Sequence, residues 1–455
     1  MRRALQSPLL EPIVLAALFA YLFWYRIHGI DEHFILLFDQ IRDWDIALRG
    51  PRNLPLGGVP SSAGGATLGP AYYWILWGIT AVVGPAFDYL PHAGGVGISL
   101  VQGLADIVFA WAVTRRTGSL VVGVGVALIA ATSVRDALLS STIWNPPIAE
   151  ALLKLAIAGV LVDDGRSRGT ALFVAATAWM AVHCHTASIL VAAPLLAWTV
   201  VHPAVAGDRR EALRRVAAMA AVILALQVPW TINALGAGLQ GQAQIGSSLQ
   251  SVADSPLARL RVGDSARAFA FNVGALLGTP YAIPWFPAAL TMGAALLLAL
   301  SRDLRMAVCG PLPLLLTIGA FSLWQGPNFE QYWYMVCLPS AALTLAAWPG
   351  FLPSRARLAV GLVGLGLVLA AQPARFPMVR TMAQAPGYGA MVRGCRTIVE
   401  NDRPVFTVRA PGPLMPTVDA LWLCSILNVP LDGGATEVAV IDLGAGGTVR
   451  YEARP

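Results

Sequence analysis

Long apolar runs separated by short charged turns occupy the chain from residue 9 to about 372. Each approaches the ~20 residues that an α-helix needs to cross the hydrocarbon core of a bilayer. The runs predict helices near 9–27, 70–90, 95–114, 119–136, 147–162, 169–184, 185–202, 214–234, 282–300, 305–323, 331–349 and 357–372. The ten-residue alternation of an outer-membrane barrel is absent. The expected fold class is an all-α polytopic membrane protein with about 11 to 12 transmembrane helices. Past residue 373 the apolar character drops. Runs at 405–408, 437–443 and 448–451 read as strands, with a helical stretch at 418–427 between the first two. A transmembrane domain of residues 1–373 is therefore expected, followed by a small α/β domain of residues 374–455.

Composition sharpens this picture. Charged residues make up 12% of the 455, where a soluble domain carries roughly 25%. An ordinary cytosolic enzyme, a disordered chain and a nucleic-acid binder are all poor fits. The net charge is only +6, and Lys154 is the one lysine among 31 basic residues. Arginine-rich turns at 115–116, 166–168, 209–215, 302–305 and 355–357 mark the cytoplasmic side. The opposite side then holds 28–69, 133–146, 235–281, 324–330 and the tail. The expected location is a bacterial inner membrane, with the N-terminus cytoplasmic and the tail periplasmic. The first run ends in Trp24-Tyr25-Arg26 rather than at a small-residue cleavage site, which reads as an uncleaved helix.

Counting crossings leaves one segment in question. With residue 69 outside and Arg115-Arg116 inside, either 70–90 stops short of full crossing or it spans and the arginine pair lies outside. Gly69-Pro70, Gly78 and Gly84-Pro85 suit an interrupted helix. In the 235–281 loop, Ala266 to Leu277 reads as an interfacial helix. Five cysteines form no CxxC motif. Cys395 and Cys424 share the tail, either as a disulfide or as two buried thiols.

Candidate chemistry concentrates in the first loop. From Asp31 to Asp45, Phe34, Leu37, Phe38, Ile41, Trp44 and Leu48 fall on one helical stripe. Asp31 would be the N-cap, and Asp45 falls on the stripe, so the helix is expected to end or bend near Trp44. Asp39 and Asp43 then share the polar face, beside Arg42. That face is either a solvated helix surface or a carboxylate site. A glycine- and serine-rich stretch follows, with Ser61-Ser62 and Gly64-Gly65, then Tyr72, Tyr73 and Trp74, which suit an interfacial belt or stacking on a sugar. Arg42, Arg52 and Arg135 could bind a phosphate. As alternatives, each could meet a lipid headgroup or a nearby acid, Asp136 in the case of Arg135. His183 and His185 could hydrogen-bond within the bundle, touch a substrate or hold a metal. Asp106 and Lys154 lie within spans, where buried pairing, Asp106 with an arginine and Lys154 with an acid, would account for them. Asn328 and Glu330 sit on a late loop.

The pieces Asp39-Gln40-x-Arg42-Asp43, Leu54-Pro55-Leu56-Gly57, Ser61-Ser62-x-Gly64-Gly65 and Leu68-Gly69-Pro70-x-Tyr72-Tyr73-Trp74, in this order, resemble the first loop of GT-C glycosyltransferases. The likeness is to bacterial members related to protein O-mannosyltransferases and to the aminoarabinose transferase of lipid A. Trp144-Asn145-Pro146, His183-x-His185 and Phe329-x-Gln331-Tyr332-Trp333 resemble the same group. The resemblance is detailed only over 30–75, and the tail matches nothing in it.

The resemblance implies an enzyme that takes a sugar from a polyprenyl-phosphate carrier on the periplasmic face, with inversion. It implies a catalytic acid in the first loop, matched by Asp39, with Asp31 and Glu32 as the alternative. Asp43 and Arg42 would orient the site. Arg52, Arg135, Tyr72, Tyr73, Asn145, His183 and His185 would contact donor phosphate or substrate. The chemistry is consistent: displacement at an anomeric carbon needs a base for the acceptor hydroxyl, and a lipid phosphate leaves as a stable anion. Expected partners are the lipid-linked donor, a glycan, lipid or protein acceptor, and membrane lipids, with no nucleic acid. No cofactor is required by the residues, although the acids permit a divalent metal. A lipid or sugar transporter or flippase, or a non-catalytic assembly subunit, are the alternative functions.

Overall fold

The computed structural model describes residues 9–60, 68–236, 262–277, 285–300, 303–323, 330–347, 353–383, 387–410 and 420–454. The helices expected from the apolar runs are present. In order they are α1 (Leu10–Ile27), α2 (Ile30–His33), α3 (Phe38–Leu48), α4 (Ala71–Val83), α5 (His92–Thr117), α6 (Leu120–Ala131) and α7 (Val134–Leu139). There follow α8 (Asn145–Val162), α9 (Arg168–Cys184), α10 (Ile189–Val205), α11 (Arg209–Gly236), α12 (Val262–Leu277) and α13 (Trp285–Leu300). The rest of the bundle is α14 (Leu304–Cys309), α15 (Pro311–Leu323), α16 (Glu330–Ala347) and α17 (Ser354–Ala383). Among the described residues, six helices are long and apolar enough to cross a membrane, as befits a multi-pass membrane protein.

α5 and α8 form the centre. α5 packs on α1, α4, α6 and α8, and α8 packs on α9, α10 and α16. Without a hydrophobic drive between helices in lipid, small residues at the contacts let backbones approach closely. Gly94 of α5 shows this: a Cβ there would meet Ile143 Cγ1 at 2.6 Å and Trp44 Cζ3 at 2.8 Å. The opposite end of α8 is tied to α11, where buried Arg215 donates two hydrogen bonds to Asp163 at 2.7 and 3.0 Å.

α4 has 13 residues, followed by a single 3-10 turn over Gly84–Phe87. At 1.5 Å per residue α4 is about 20 Å long, short of a ~30 Å core. Gly84-Pro85 breaks the apolar run as its sequence suggests. α12 falls on the stretch expected to be interfacial, and the last long helix runs on to Ala383 rather than stopping near 372.

The tail carries α18 (Tyr388–Glu400), β1 (Thr407–Arg409), α19 (Ala420–Ile426), β2 (Glu437–Asp442) and β3 (Thr448–Ala453). The sheet order is β1-β2-β3, with β1 parallel and β3 antiparallel to β2. Val438 to Ile441 of β2 are all buried, and Ala439 and Ile441 belong to the hydrophobic core. Cys395 of α18 and Cys424 of α19 form a disulfide, with Cα atoms 5.1 Å apart. The first of the two alternatives for these cysteines is therefore the observed one.

The first loop departs from the expected single helix. It is two helices joined by an extended stretch: Phe34 and Leu37 have β-region backbone at φ −63° and −119°. Asp31 therefore lies in the one-turn α2 and does not cap α3. The Gln40 side chain takes the backbone N–H of Leu37 at 2.9 Å instead, satisfying a donor that the helix start would leave open. Nor does α3 end at Trp44. Asp45 faces outward and pairs with Arg49 one turn on, at 2.5 Å. Phe34 and Trp44 are buried, but Leu37 and Phe38 are exposed, so the predicted stripe does not form one buried face.

Candidate functional site

The acids of α3 are divided by burial. Asp43 points at α4 and its side chain is 0% exposed, whereas Asp39, four residues earlier, is 52% exposed. The α3 geometry sets Arg42 between them. Its Nη1 lies 2.9 Å from Asp39 Oδ1 and its Nη2 2.8 Å from Asp43 Oδ1. Arg42 Nε donates to the same Asp43 oxygen at 2.8 Å, as does the Tyr73 hydroxyl from α4 at 3.0 Å. Burial pushes the Asp43 carboxyl above its ordinary value, against the opposing pull of Arg42 and the tyrosine hydroxyls. Tyr72 and Tyr73 are themselves buried, with rings 5.2 Å apart, so they are part of the wall behind Asp43 rather than an interfacial belt.

Packing holds this arrangement on the bundle. The Trp44 ring is buried against Gly94 of α5, and its indole N–H donates to the Tyr89 carbonyl at 2.8 Å. The two ends of the loop after α3 meet through Gly58 N–H to Leu68 O at 2.7 Å and Leu68 N–H to Val59 O at 2.9 Å. Gly69 then lies flat on the His183 imidazole, where any Cβ would overlap the ring. Ser61, Ser62, Gly64 and Gly65 lie outside the described residues, as do Asn328 and Phe329 and the side chain of Glu330.

The structure brings Asp39, Arg42, Asp43, Tyr72 and Tyr73 together, with His183 behind the returning loop. Other candidates are engaged elsewhere. His183 Nε2 is 3.1 Å from Gln227 Oε1 of α11, and His185 Nδ1 accepts the Ala187 N–H at 3.2 Å. Both histidines thus hydrogen-bond within the bundle. Asn145 donates to the Cys184 carbonyl at 2.7 Å, tying α8 to α9. Arg52 lies exposed on a one-turn 3-10 helix, Pro51–Asn53. Arg135 lies over the Phe271 ring at 4.6 Å, and its neighbour Asp136 pairs with Arg26. Glu32 faces Arg393 of the tail domain.

No metal-like set of three or more His, Cys, Asp and Glu side chains occurs among the described residues. The place between Asp39 and Asp43 where a divalent ion could sit is filled by the Arg42 guanidinium. These two acids do not fit a metal in this arrangement.

A second constellation is buried wholly inside the bundle. Arg26 of α1 lies 2.7 Å from Asp106 of α5 and 2.6 Å from Asp136 of α7. Lys154 of α8 lies 2.8 Å from Asp106 and 3.0 Å from Glu150. Lys154 also donates to Gln102 Oε1 at 2.9 Å, Gln102 to Glu150 at 3.0 Å, and the Tyr334 hydroxyl of α16 to Asp136 at 3.1 Å. The expected pairs, Asp106 with an arginine and Lys154 with an acid, are both present. Sequence reasoning missed that they are one network. Arg26, Asp136 and Glu150 sit near span ends, where a charge is unremarkable.

No family model matches this chain, and no curated protein sequence matches it. Solved structures do. ArnT from Cupriavidus metallidurans, bound to undecaprenyl phosphate, superposes with a TM-score of 0.54 at 14% identity, covering 93% of this chain and 76% of that one. Its apo state gives 0.54 at 12%, covering 92% and 84%. The oligosaccharyltransferase of Archaeoglobus fulgidus, in complex with Zn and sulfate, gives 0.50 at 12%, covering 97% and 73%. The chain thus has the GT-C fold, the architecture of membrane glycosyltransferases. At these identities the likeness concerns the fold.

Proposed function

We propose that this protein is a GT-C glycosyltransferase that moves a sugar from a polyprenyl-phosphate donor to an acceptor hydroxyl on the extracytoplasmic face, with inversion. One observation carries the reading: Arg42 bridges an accessible carboxylate, Asp39, and a buried one, Asp43. That gives the two acids different tasks. Asp39 takes the acceptor proton as the acceptor oxygen attacks the anomeric carbon. The bond from that carbon to the phosphate oxygen breaks, and its electron pair leaves with the polyprenyl phosphate. Asp43, held by Tyr73, fixes Arg42 near the developing phosphate charge, where a pre-oriented cation stabilises the transition state. Arg42 exchanging from Asp39 to the donor phosphate frees the base when the donor is bound. The fold and the undecaprenyl phosphate named for ArnT support a lipid-linked donor. The expected location remains a bacterial inner membrane, N-terminus cytoplasmic, with the tail domain on the periplasmic side.

The test is Asp39→Asn in membranes supplied with polyprenyl-phosphate sugars. Transfer should fall about 10²- to 10⁴-fold, the range general-base catalysis contributes, with expression and thermal stability unchanged. Full activity of that variant removes the assignment. A transporter or flippase would instead move the lipid across vesicles without transferring sugar.

A further inference from the structure

Helix α18 of the tail domain packs against α2 of the first loop. Tyr388 at the start of α18 is fully buried, and its ring lies 5.2 Å from that of Phe34. Its hydroxyl is 2.9 Å from His92 Nδ1 and takes the His92 backbone N–H at 3.3 Å. Gly389 sits directly on α2, where a Cβ would run into the Glu32 carboxylate and come within 3.1 Å of the Asp31 carbonyl. One turn on, Arg393 pairs with Glu32, and Arg396 reaches Asp88 at 3.2 Å. The other side of α18 belongs to its own domain. Gly394 packs on Ile441 of β2, Arg393 Nε donates to the Gly446 carbonyl at 3.1 Å, and Cys395 is bonded to Cys424.

α18 is thus a rigid edge of the tail domain pressed on residues 31–34. Those residues lead into α3 through a non-helical stretch that ends at Leu37, with Phe34 and Leu37 extended. Phe34 and Leu36 are buried, so the connection has little freedom to absorb a shift of α2. Any displacement of α2 is transmitted to the start of α3, where Asp39 lies.

We propose that the tail domain is a positioning clamp for the first loop, with Tyr388 and Gly389 as its seat and the Arg393–Glu32 pair setting its orientation. Glu32 is then a positioning residue and not the acid that receives the acceptor proton. The inference rests on the proposed function only for its catalytic consequence; the clamp itself is a structural statement. Tyr388 supplies the anchoring burial. The Glu32–Arg393 pair is half exposed, so it contributes direction more than strength.

The experiment uses the full-length protein in detergent and in proteoliposomes. Gly389→Val places a side chain into the α18–α2 contact without touching the sheet. Hydrogen exchange should rise over 30–48 and stay unchanged over 437–453, and kcat should fall about tenfold to a hundredfold with the donor KM little altered. Glu32→Arg and Arg393→Glu should each shift both readouts in the same direction but by less, and the double exchange should restore the part owed to the pair. Restoration of activity by the double variant also shows that no carboxylate is needed at position 32. Unchanged exchange over 30–48 in Gly389→Val overturns the clamp, as do single variants whose effects add in the double. If the wild type transfers no sugar while the exchange effects and their rescue hold, the proposed function fails and the clamp stands. If Asp39→Asn abolishes transfer while Gly389→Val behaves as wild type, the clamp alone fails.

Discussion

Replacing Lys154 by Met tests the internal charge network directly. In the native protein Lys154 lies within 2.8 Å of Asp106 and 3.0 Å of Glu150, and donates to Gln102 at 2.9 Å. All of these side chains are fully buried. The variant leaves Asp106 and Asp136 with Arg26, and Glu150 without its ion-pair partner. Methionine matches the stem of the lysine, so the loss is one of charge and hydrogen bonding rather than of volume. Removing one partner from a buried ionic group costs about 3–5 kcal/mol, because the others remain desolvated and uncompensated. At ~1.4 kcal/mol per factor of ten, the folded-to-unfolded ratio should drop about 10²- to 10⁴-fold. Thermal unfolding of the purified protein in detergent, followed by tryptophan fluorescence, reads this as an earlier transition. Adding Asp106→Asn removes the carboxylate nearest Lys154, at 2.8 Å, and restores the native charge balance, so the double variant should recover part of the loss. A single variant that melts with the wild type, or a double variant less stable than the single, would refute the coupled network.

Two further outcomes follow from the site. Because burial raises the Asp43 carboxyl, it takes up its proton at a higher pH than an exposed aspartate. Its native form then binds more protons than the unfolded chain between the ordinary carboxylate value and that raised one. Acidification through this window should therefore stabilise the fold slightly, while neutralising Asp43 releases Arg42 and lowers transfer. The stability difference between wild type and Asp43→Asn should narrow or widen with pH only in that window; a flat difference would contradict the burial argument. Gly69→Ala puts a methyl group into the His183 ring, an overpacking that costs about 1–3 kcal/mol. Melting and transfer should both suffer, and Ala at the unobstructed Gly78 of α4 serves as the control.

The bundle was legible because apolar run length depends on the bilayer rather than on tertiary contacts. The interrupted α4 announced itself through Gly84-Pro85, and the tail strands through their β-branched runs. The first loop was misread because Phe34, Leu37, Phe38, Ile41 and Trp44 keep a helical period across a stretch that is extended. A local cue existed in Gln40, three residues after the Leu37 whose N–H it caps. The amphipathic α18 left its spacing in Met391, Val392, Cys395 and Ile398, yet its thirteen residues are too polar to attract attention among spans. The acids of α3 were recognisable as a pair. Which one would be buried was not, since that depends on where α3 meets Tyr73 of α4. The same holds for Arg26 and Tyr334, whose partner Asp136 is 110 and 198 residues away.

That separation bears on how the molecule is made. Arg26 is synthesised 110 residues ahead of Asp136. At about 5–20 residues per second the first helix waits roughly 5 to 20 s for that counter-ion. During the wait its guanidinium, in the last turn of α1, can reach the headgroups. Asp106 of α5, only 80 residues behind Arg26, arrives first, so the guanidinium is drawn into the bundle in two steps, as α5 and then α7 emerge.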